Sequence, residues 1–435
     1  MAIGSEVYEA RRRRVLDAIA PGALVVFGTP VAVRNNDIEH PYRQHSDILY
    51  LSGFDEPNSA LVLASQAEHP FVLFVRPRDP EREVWDGARA GVEGAVRDYG
   101  ADVAHPIDEI HKQLPELLKG SRRLYYELGG PVEHDRTVLS AVRRLKAQER
   151  RGVIWPADIV DPSTLLHEMR LVKASEELGL MQKAADITEG AHRLAMRSAR
   201  PGMYEYELQA LMEAEFRQKG SERVAYESIV GSGPNATVLH YRKNDRQMQD
   251  GELVLIDAGC EYASYASDVT RTFPVNGRFS DAQRRVYELV LEAELAGIRS
   301  VRPGATLEEV HRASLEVITR GLVELGFIEG PVDVALKEER YKPFFMHRTS
   351  HFLGMDVHDV GATHLDGKPR PLAPGMVLTV EPGIYVGVGE EKVPEEYRGI
   401  GVRIEDDVVV TETDSHVLSG AIPKTIEDLE SVCAK

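Results

Sequence analysis

The apolar positions of this chain follow two patterns, one before about residue 160 and one after it. In the first stretch, continuous apolar runs at 23–27, 60–63 and 71–75 read as buried strands. They alternate with segments at 107–119 and 135–148 whose apolar positions recur at helical spacing. That alternation predicts an α/β domain over residues 1–160. Pro156 and Pro162 bracket a short segment where a boundary is expected. A long helix is predicted beyond it, from about 163 to 198, with Lys173, Glu176 and Glu177 on polar faces and Leu180, Ala184 and Ile187 at helical spacing. This helix opens a second domain, residues 161–435.

The second domain carries a weak internal repeat. Arg200-Pro201-Gly202 recurs as Arg302-Pro303-Gly304, and Ala191, Arg197 and Ser198 match Ala293, Arg299 and Ser300 at the same spacing. In each copy a helix stops at Pro-Gly and another starts after it, which predicts two related αβ halves facing each other. Two unrelated helices ending in the same stop signal would give the triplets alone; the additional matches favour duplication. A site drawing on both halves would lie at their interface, a common location for ligand pockets.

Strand-like runs at 253–257, 267–273, 376–381 and 401–410 each deliver an acid where an apolar residue is expected: Asp257, Asp268, Glu381 and Glu405. The first two runs, with turn-prone residues between them, predict a β-hairpin that brings Asp257 and Asp268 close. Burying an unpaired carboxylate costs several kcal/mol, so several on core strands call for cations. With His351 they read as a two-metal hydrolase site. Five side chains are too many for one open catalytic ion. They suffice for two ions roughly 3.5–4 Å apart if two carboxylates bridge. An oxygen-rich set with one imidazole ranks manganese above zinc, with cobalt able to substitute. Arg403, two residues before Glu405 and so on the same strand face, is positioned to offset the charge of a hydroxide nucleophile.

The other histidines weigh differently. His347 and His351 have the spacing of a helical zinc-protease pair, but that motif needs a glutamate after the first histidine, and Arg348 stands there. His240 and His358 lie in turn-rich segments, where a lone histidine is more often structural; in a hydrolase they could bind a substrate carbonyl or move protons.

Composition narrows the function further. The chain has 435 residues, 43% of them hydrophobic and 28% charged, which is ordinary for a soluble globular protein. A formal net charge of −18 argues against nucleic acid or an anionic membrane as partner. The one basic run, Arg11 to Arg14, is expected as a solvated helix face with Glu6 and Glu9 alongside. No apolar stretch approaches the roughly 20 residues needed to span a bilayer, and the N-terminus lacks a long apolar core, so a cytoplasmic protein is expected. Cys260 and Cys433 cannot build a disulfide framework or a cysteine-rich zinc site, and Cys260 is expected as a small buried filler.

With these residues in view, the chain resembles the aminopeptidase P (Xaa-Pro aminopeptidase) family, which shares the pita-bread fold with methionine aminopeptidase, prolidase and creatinase. The resemblance covers nearly the whole chain. It rests on Ile256-Asp257-Ala258-Gly259, Ser267-Asp268-Val269-Thr270-Arg271-Thr272, His347-Arg348-Thr349-Ser350-His351, Val357-His358-Asp359, Val380-Glu381-Pro382-Gly383 and Val402-Arg403-Ile404-Glu405-Asp406-Asp407. In the N-terminal half it rests on Asp47-Ile48-Leu49-Tyr50-Leu51-Ser52-Gly53 and Val84-Trp85-Asp86-Gly87, which methionine aminopeptidases lack. It implies a dinuclear enzyme that removes the residue before proline from peptide N-termini. Asp257 would bind one ion, His351 and Glu381 the other, and Asp268 and Glu405 would bridge. His240, His347 and His358 would line the substrate site, and Glu381 would assist proton transfer. A homodimer or homotetramer is also implied. The chain departs from the family at Phe352, where tryptophan is frequent; this keeps an aromatic surface and loses an indole donor. The shared ligands leave a prolidase acting on Xaa-Pro dipeptides as the alternative. A metal-free creatinase-like relative or a binding module is opposed by the presence of all five ligands.

Overall fold

The runs expected as strands at 23–27, 60–63 and 71–75 pair side by side at the centre of a six-stranded sheet, in the computed structural model that describes residues 3–434. The order is Val103–Pro106, Phe71–Val75, Ala60–Ala64, Gly22–Phe27, Arg123–Tyr125, Asp158–Val160. The inner pairings are antiparallel and the outer ones parallel. Every residue of Ala60–Ala64 and Phe71–Val75 is buried, because apolar elements cover both faces of the sheet. The helices Ile110–Leu118 and Val132–Lys146 bring Leu114, Leu118, Val138 and Leu145 against Val25, Val62 and Phe74.

Three expectations change, in this unit and at the start of the next. The basic run is only half solvated: on the helix Ser5–Ile19, Arg11 and Arg12 are buried and donate to the carbonyls of Tyr50 and Leu51 at 3.0 and 2.9 Å. Those carbonyls end the helix Ser46–Ser52, where acceptors have no intrahelical partner, and the two guanidinium groups supply the missing donors. The predicted long helix is two helices, Ser163–Leu171 and Ser175–Ser198. The chain divides into units at residue 170, and the first helix goes with the N-terminal one: Met169 O accepts from Tyr50 Oη at 3.2 Å, and Arg170 pairs with Asp47 at 2.8 Å in a buried contact. Lys173 and Glu177 are buried rather than on polar faces. Lys173 Nζ pairs with Asp359 at 2.8 Å and Glu177 accepts from Tyr265 Oη at 2.7 Å, so both belong to polar contacts inside the second unit.

The second unit is a duplicated αβ assembly. Its first half runs through the helices Ser175–Ser198 and Glu205–Gln218 into the sheet Ile229–Ser232, Leu253–Asp257, Thr270–Pro274. The second runs through Asp281–Ser300 and Leu307–Glu324 into Val377–Val380, Asp406–Val410, Ser415–Val417. The two Arg-Pro-Gly turns have the same backbone. Gly202 and Gly304 have φ of 86° and 85°, and their N–H groups donate to Met248 O and Leu372 O, each at 2.8 Å. Met248 N and Leu372 N return bonds to Met203 O and Ala305 O. Glu207 and Glu309 then reach back to the N–H groups of Tyr204 and Thr306 at 2.7 and 2.8 Å, starting each second helix alike. The apolar core between helices and sheets includes the filler Cys260, fully buried beside Ala184.

Candidate metal centre

The strand pairs that follow each helix pair carry the acids. Leu253–Asp257 pairs antiparallel with Thr270–Pro274, setting Asp257 opposite Thr270, and Asp268 lies just before the second strand. A small two-strand excursion, Cys260–Tyr262 and Tyr265–Ala266, fills the connection. In the other half Val377–Val380 pairs with Asp406–Val410, so Glu381 leaves one strand where Glu405 enters the next. Each half therefore contributes one acid from an outgoing strand and one from an incoming strand, all at the same end of their sheets.

Asp268, His351 and Glu405 each offer a ligand atom, and these atoms lie within 4.8 Å of one another. His351 Nε2 is 3.4 Å from Asp268 Oδ2 and 3.6 Å from Glu381 Oε1. Its Nδ1 is 3.0 Å from Phe352 O; a carbonyl only accepts, so Nδ1 carries the hydrogen and Nε2 turns its other face to the acids. Asp257 lies outside the tight group. Its Oδ1 accepts from Tyr226 Oη and its Oδ2 from Arg403 Nη2, both at 2.6 Å. Thr270 Oγ1 links the two sets: it donates to Glu405 Oε2 at 2.6 Å and accepts from Arg403 Nε at 3.1 Å.

The electrostatics suit a cation. Burial, followed by Asp268, Glu381 and Asp257, holds the Glu405 carboxyl far above the usual carboxylate range. Burial pushes Glu381 up to about 7, although His351 and Arg403 oppose it. Asp257 is also raised by burial against the pull of Arg403. At His351 burial favours the neutral ring, but the bond to Asp268 and the charge of Glu381 win and raise it to about 9. These acids compete for whatever positive charge is available, and His351 Nε2 points into them. Oxygen donors with one imidazole fit a hard or borderline divalent ion.

The remaining predicted residues surround this group. His347 is brought down to about 4 by burial and Arg403, so its ring is neutral. Its Nδ1 donates to Arg348 O at 2.8 Å, which leaves Nε2 to accept from Tyr385 Oη at 2.9 Å; Tyr385 Oη in turn accepts from Arg403 Nη1 at 2.9 Å. A directed chain thus runs from Asp257 through Arg403 and Tyr385 to His347. His358 sets its ring edge-on to His351 with centroids 4.5 Å apart. His240 is exposed. Sequence reasoning missed Tyr226, Tyr385, Thr270 and Asp407, whose carboxylate oxygens accept from Asp268 N at 3.3 and 3.2 Å. A signal existed for Thr270, since Asp268, Thr270, Arg271 and Thr272 crowd polar groups into a buried strand. None pointed to Tyr226.

Comparison with known proteins adds an independent line. The family model described as metallopeptidase family M24 matches residues 179–412, and that of the aminopeptidase P N-terminal domain matches residues 8–125. An Xaa-Pro aminopeptidase of Escherichia coli is 44% identical over 99% of this chain and 98% of its own length. Human Xaa-Pro aminopeptidase 3 is 37% identical over 98% of the chain and 86% of its own. Among solved structures, Pseudomonas aeruginosa aminopeptidase PepP superposes with a TM-score of 0.97 at 48% identity, covering 100% of this chain and 98% of that one. Zinc-substituted E. coli aminopeptidase P in complex with product gives 0.96 at 44% identity, covering 100% and 99%.

Proposed function

The chain belongs to metallopeptidase family M24, with an aminopeptidase P N-terminal domain ahead of its pita-bread unit, and on that premise we propose that it is a dinuclear Xaa-Pro aminopeptidase. The convergence of Asp268, His351 and Glu405 within 4.8 Å carries this reading. It is supported by the relatives named Xaa-Pro aminopeptidase and by the aminopeptidase P structures solved with substrate and with product.

Asp257, Asp268, His351, Glu381 and Glu405 would hold two divalent ions, manganese by the donor chemistry. Ions bound there would supply Lewis-acid activation of water and of the scissile carbonyl. The chain's own groups do the rest. Arg403 balances Asp257 and, through Tyr385, fixes the tautomer of His347. Burial raises the affinity of Glu381 for a proton, to about 7 with no ion bound, and its Oε2 lies 3.9 Å from His347 Nδ1, where it can assist proton transfer. His240, His347 and His358 would bind the peptide on the open side of the acids.

A proline nitrogen carries no N–H and its ring fixes φ near −65°, so a site shaped for it excludes other residues by sterics. The protein should cleave Xaa-Pro-Yaa peptides with a free N-terminus and act little on Xaa-Ala-Yaa or N-acetylated peptides. Comparing kcat/KM for a matched Xaa-Pro and Xaa-Pro-Yaa pair tests this. A dipeptide preference of about tenfold, equal to about 1.4 kcal/mol of transition-state discrimination, would make it a prolidase instead.

A further inference from the structure

Behind the metal centre lies a fully buried guanidinium that touches none of the five proposed ligand side chains. Arg271 belongs to the strand Thr270–Pro274 of the first half and is 0% exposed. A guanidinium has five N–H donors, and Arg271 makes five bonds: Nε to Pro423 O at 3.0 Å, Nη1 to Thr270 O at 3.0 Å and Glu405 O at 2.6 Å, Nη2 to Asp406 Oδ1 at 2.7 Å and Ile422 O at 3.2 Å. The fork is itself held. Asp406 accepts from Ser419 Oγ at 2.6 Å and from Lys424 Nζ at 2.6 Å, and Lys424 Nζ also reaches Glu294 Oε1 at 2.7 Å.

What the fork grips gives it a role. Glu405 lies between the strand Gly401–Arg403, which pairs with Gly383–Tyr385, and the strand Asp406–Val410, which pairs with Val377–Val380. At that crossing the backbone changes sheet and has no ladder of its own. The first half supplies what the ladder does not. Thr270 O accepts from Glu405 N at 3.1 Å, Thr270 Oγ1 donates to its carboxylate, and Arg271 donates to its carbonyl and to the carboxylate of the next residue.

We propose that Arg271 is a positioning residue for the metal centre: by clamping the carbonyls of Thr270 and Glu405 and the side chain of Asp406, it fixes the direction in which Glu405 presents its carboxylate to Asp268 and His351. The proposal rests on the metallopeptidase reading of the site. Charge alone does not perform this task, because four of the five bonds go to carbonyls spread over three segments and only a planar fork reaches them together.

Manganese titration by calorimetry, with Mn2+ electron paramagnetic resonance on the same samples, tests the role without relying on turnover. Arg271→Lys and Arg271→Met should both bind manganese about 10- to 100-fold more weakly than the parent, the scale typical of groups that orient metal ligands. The lysine variant should not rescue. A core truncation at a residue that makes no hydrogen bond to the acids, Leu322→Ala in the helix Leu307–Glu324, serves as the control: it should lower thermal stability and leave manganese affinity unchanged. If neither Arg271 variant folds, Lys424→Met decides, since its side chain is 17% exposed and contacts no ligand; it should weaken manganese binding several-fold by loosening Asp406. Folded Arg271→Lys that binds manganese like the parent overturns the proposal, as does unchanged binding by Lys424→Met when the Arg271 variants do not fold. Failure of the parent to bind any divalent ion is a different result and would remove the metallopeptidase site itself.

Discussion

Replacing Arg403 by methionine separates what the guanidinium contributes to this site from what cations contribute. The Arg403 side chain is 4% exposed and donates to Asp257 Oδ2 at 2.6 Å, Tyr385 Oη at 2.9 Å and Thr270 Oγ1 at 3.1 Å. Methionine occupies much of the same volume, removes all three donors and leaves the Asp257 carboxylate buried with the Tyr226 hydroxyl but without its charged partner. Breaking a buried pair from one side costs about 3–5 kcal/mol, and that is the loss expected for chelated protein at pH 8. The pH dependence has a fixed sign. Asp257 is already raised above its ordinary value by burial, and loss of Arg403 raises it further. A carboxyl raised in the folded state destabilises that state increasingly as pH climbs from its unfolded value toward its folded one. Toward pH 5 more of the variant's Asp257 is protonated, so the deficit should shrink toward the loss of hydrogen bonds alone, about 1–2 kcal/mol. Saturating manganese at pH 8 should shrink the deficit, because a cation at Asp257 restores the missing positive charge. Urea unfolding at both pH values, with chelator and with manganese, reads these differences at constant m. A loss under about 1 kcal/mol in chelated protein, far below the cost of an orphaned buried charge, or one indifferent to both pH and metal, would refute the pairing argument.

Dialysis against a chelator should abolish hydrolysis of Xaa-Pro-Yaa peptides and manganese should restore it best; full turnover by protein that elemental analysis finds free of divalent ions would contradict the metal reading. Glu405→Ala should lose at least one ion and nearly all turnover, whereas His358→Ala should keep its metal and slow turnover by roughly 10- to 100-fold, the scale of supporting groups. Two ions per chain with normal rates in the Glu405 variant would remove its bridging role.

The clustered acids were legible in the sequence because each breaks a rule of its neighbourhood: Asp257, Asp268, Glu381 and Glu405, the proposed ligands, stand where a buried strand should continue apolar. The repeat was legible through Pro-Gly stops, which need a left-handed glycine at Gly202 and Gly304 in both halves. Long-range partners were not. Nothing local marks Lys173 as buried; its partner Asp359 is far along the chain, and the break between Leu171 and Ser175 depends on Lys173 N meeting Gly375 O. Arg11 and Arg12 look like surface charge until the open end of the helix Ser46–Ser52 is packed against them. Tyr226 and Tyr385 resemble ordinary aromatic core residues, and only their hydroxyl contacts with Asp257 and Arg403 reveal them. Periodicity reports which side of an element is apolar, and it is silent on which polar atom another element brings.

Charge balance is the step that joins duplication to chemistry. Joining two acid-bearing halves concentrates the four carboxylates proposed as ligands, and among the described residues the cations set against them are few. Arg403 touches Asp257. His351 must give up its Nε2 proton to act as a ligand. Arg271 and Lys424 are occupied with Asp406 and Glu294 behind the site. Asp407 is not among the proposed ligands; both its carboxylate oxygens accept from Asp268 N, at 3.3 and 3.2 Å. As ligands the four acids must be ionised, and against one guanidinium they leave three negative charges. One divalent ion would leave a buried negative residue, made worse by a hydroxide nucleophile. Two divalent ions and one hydroxide cancel the remainder. Burial of uncompensated charge is among the most expensive arrangements in a protein, so the same duplication that builds the acidic cluster favours two ions over one.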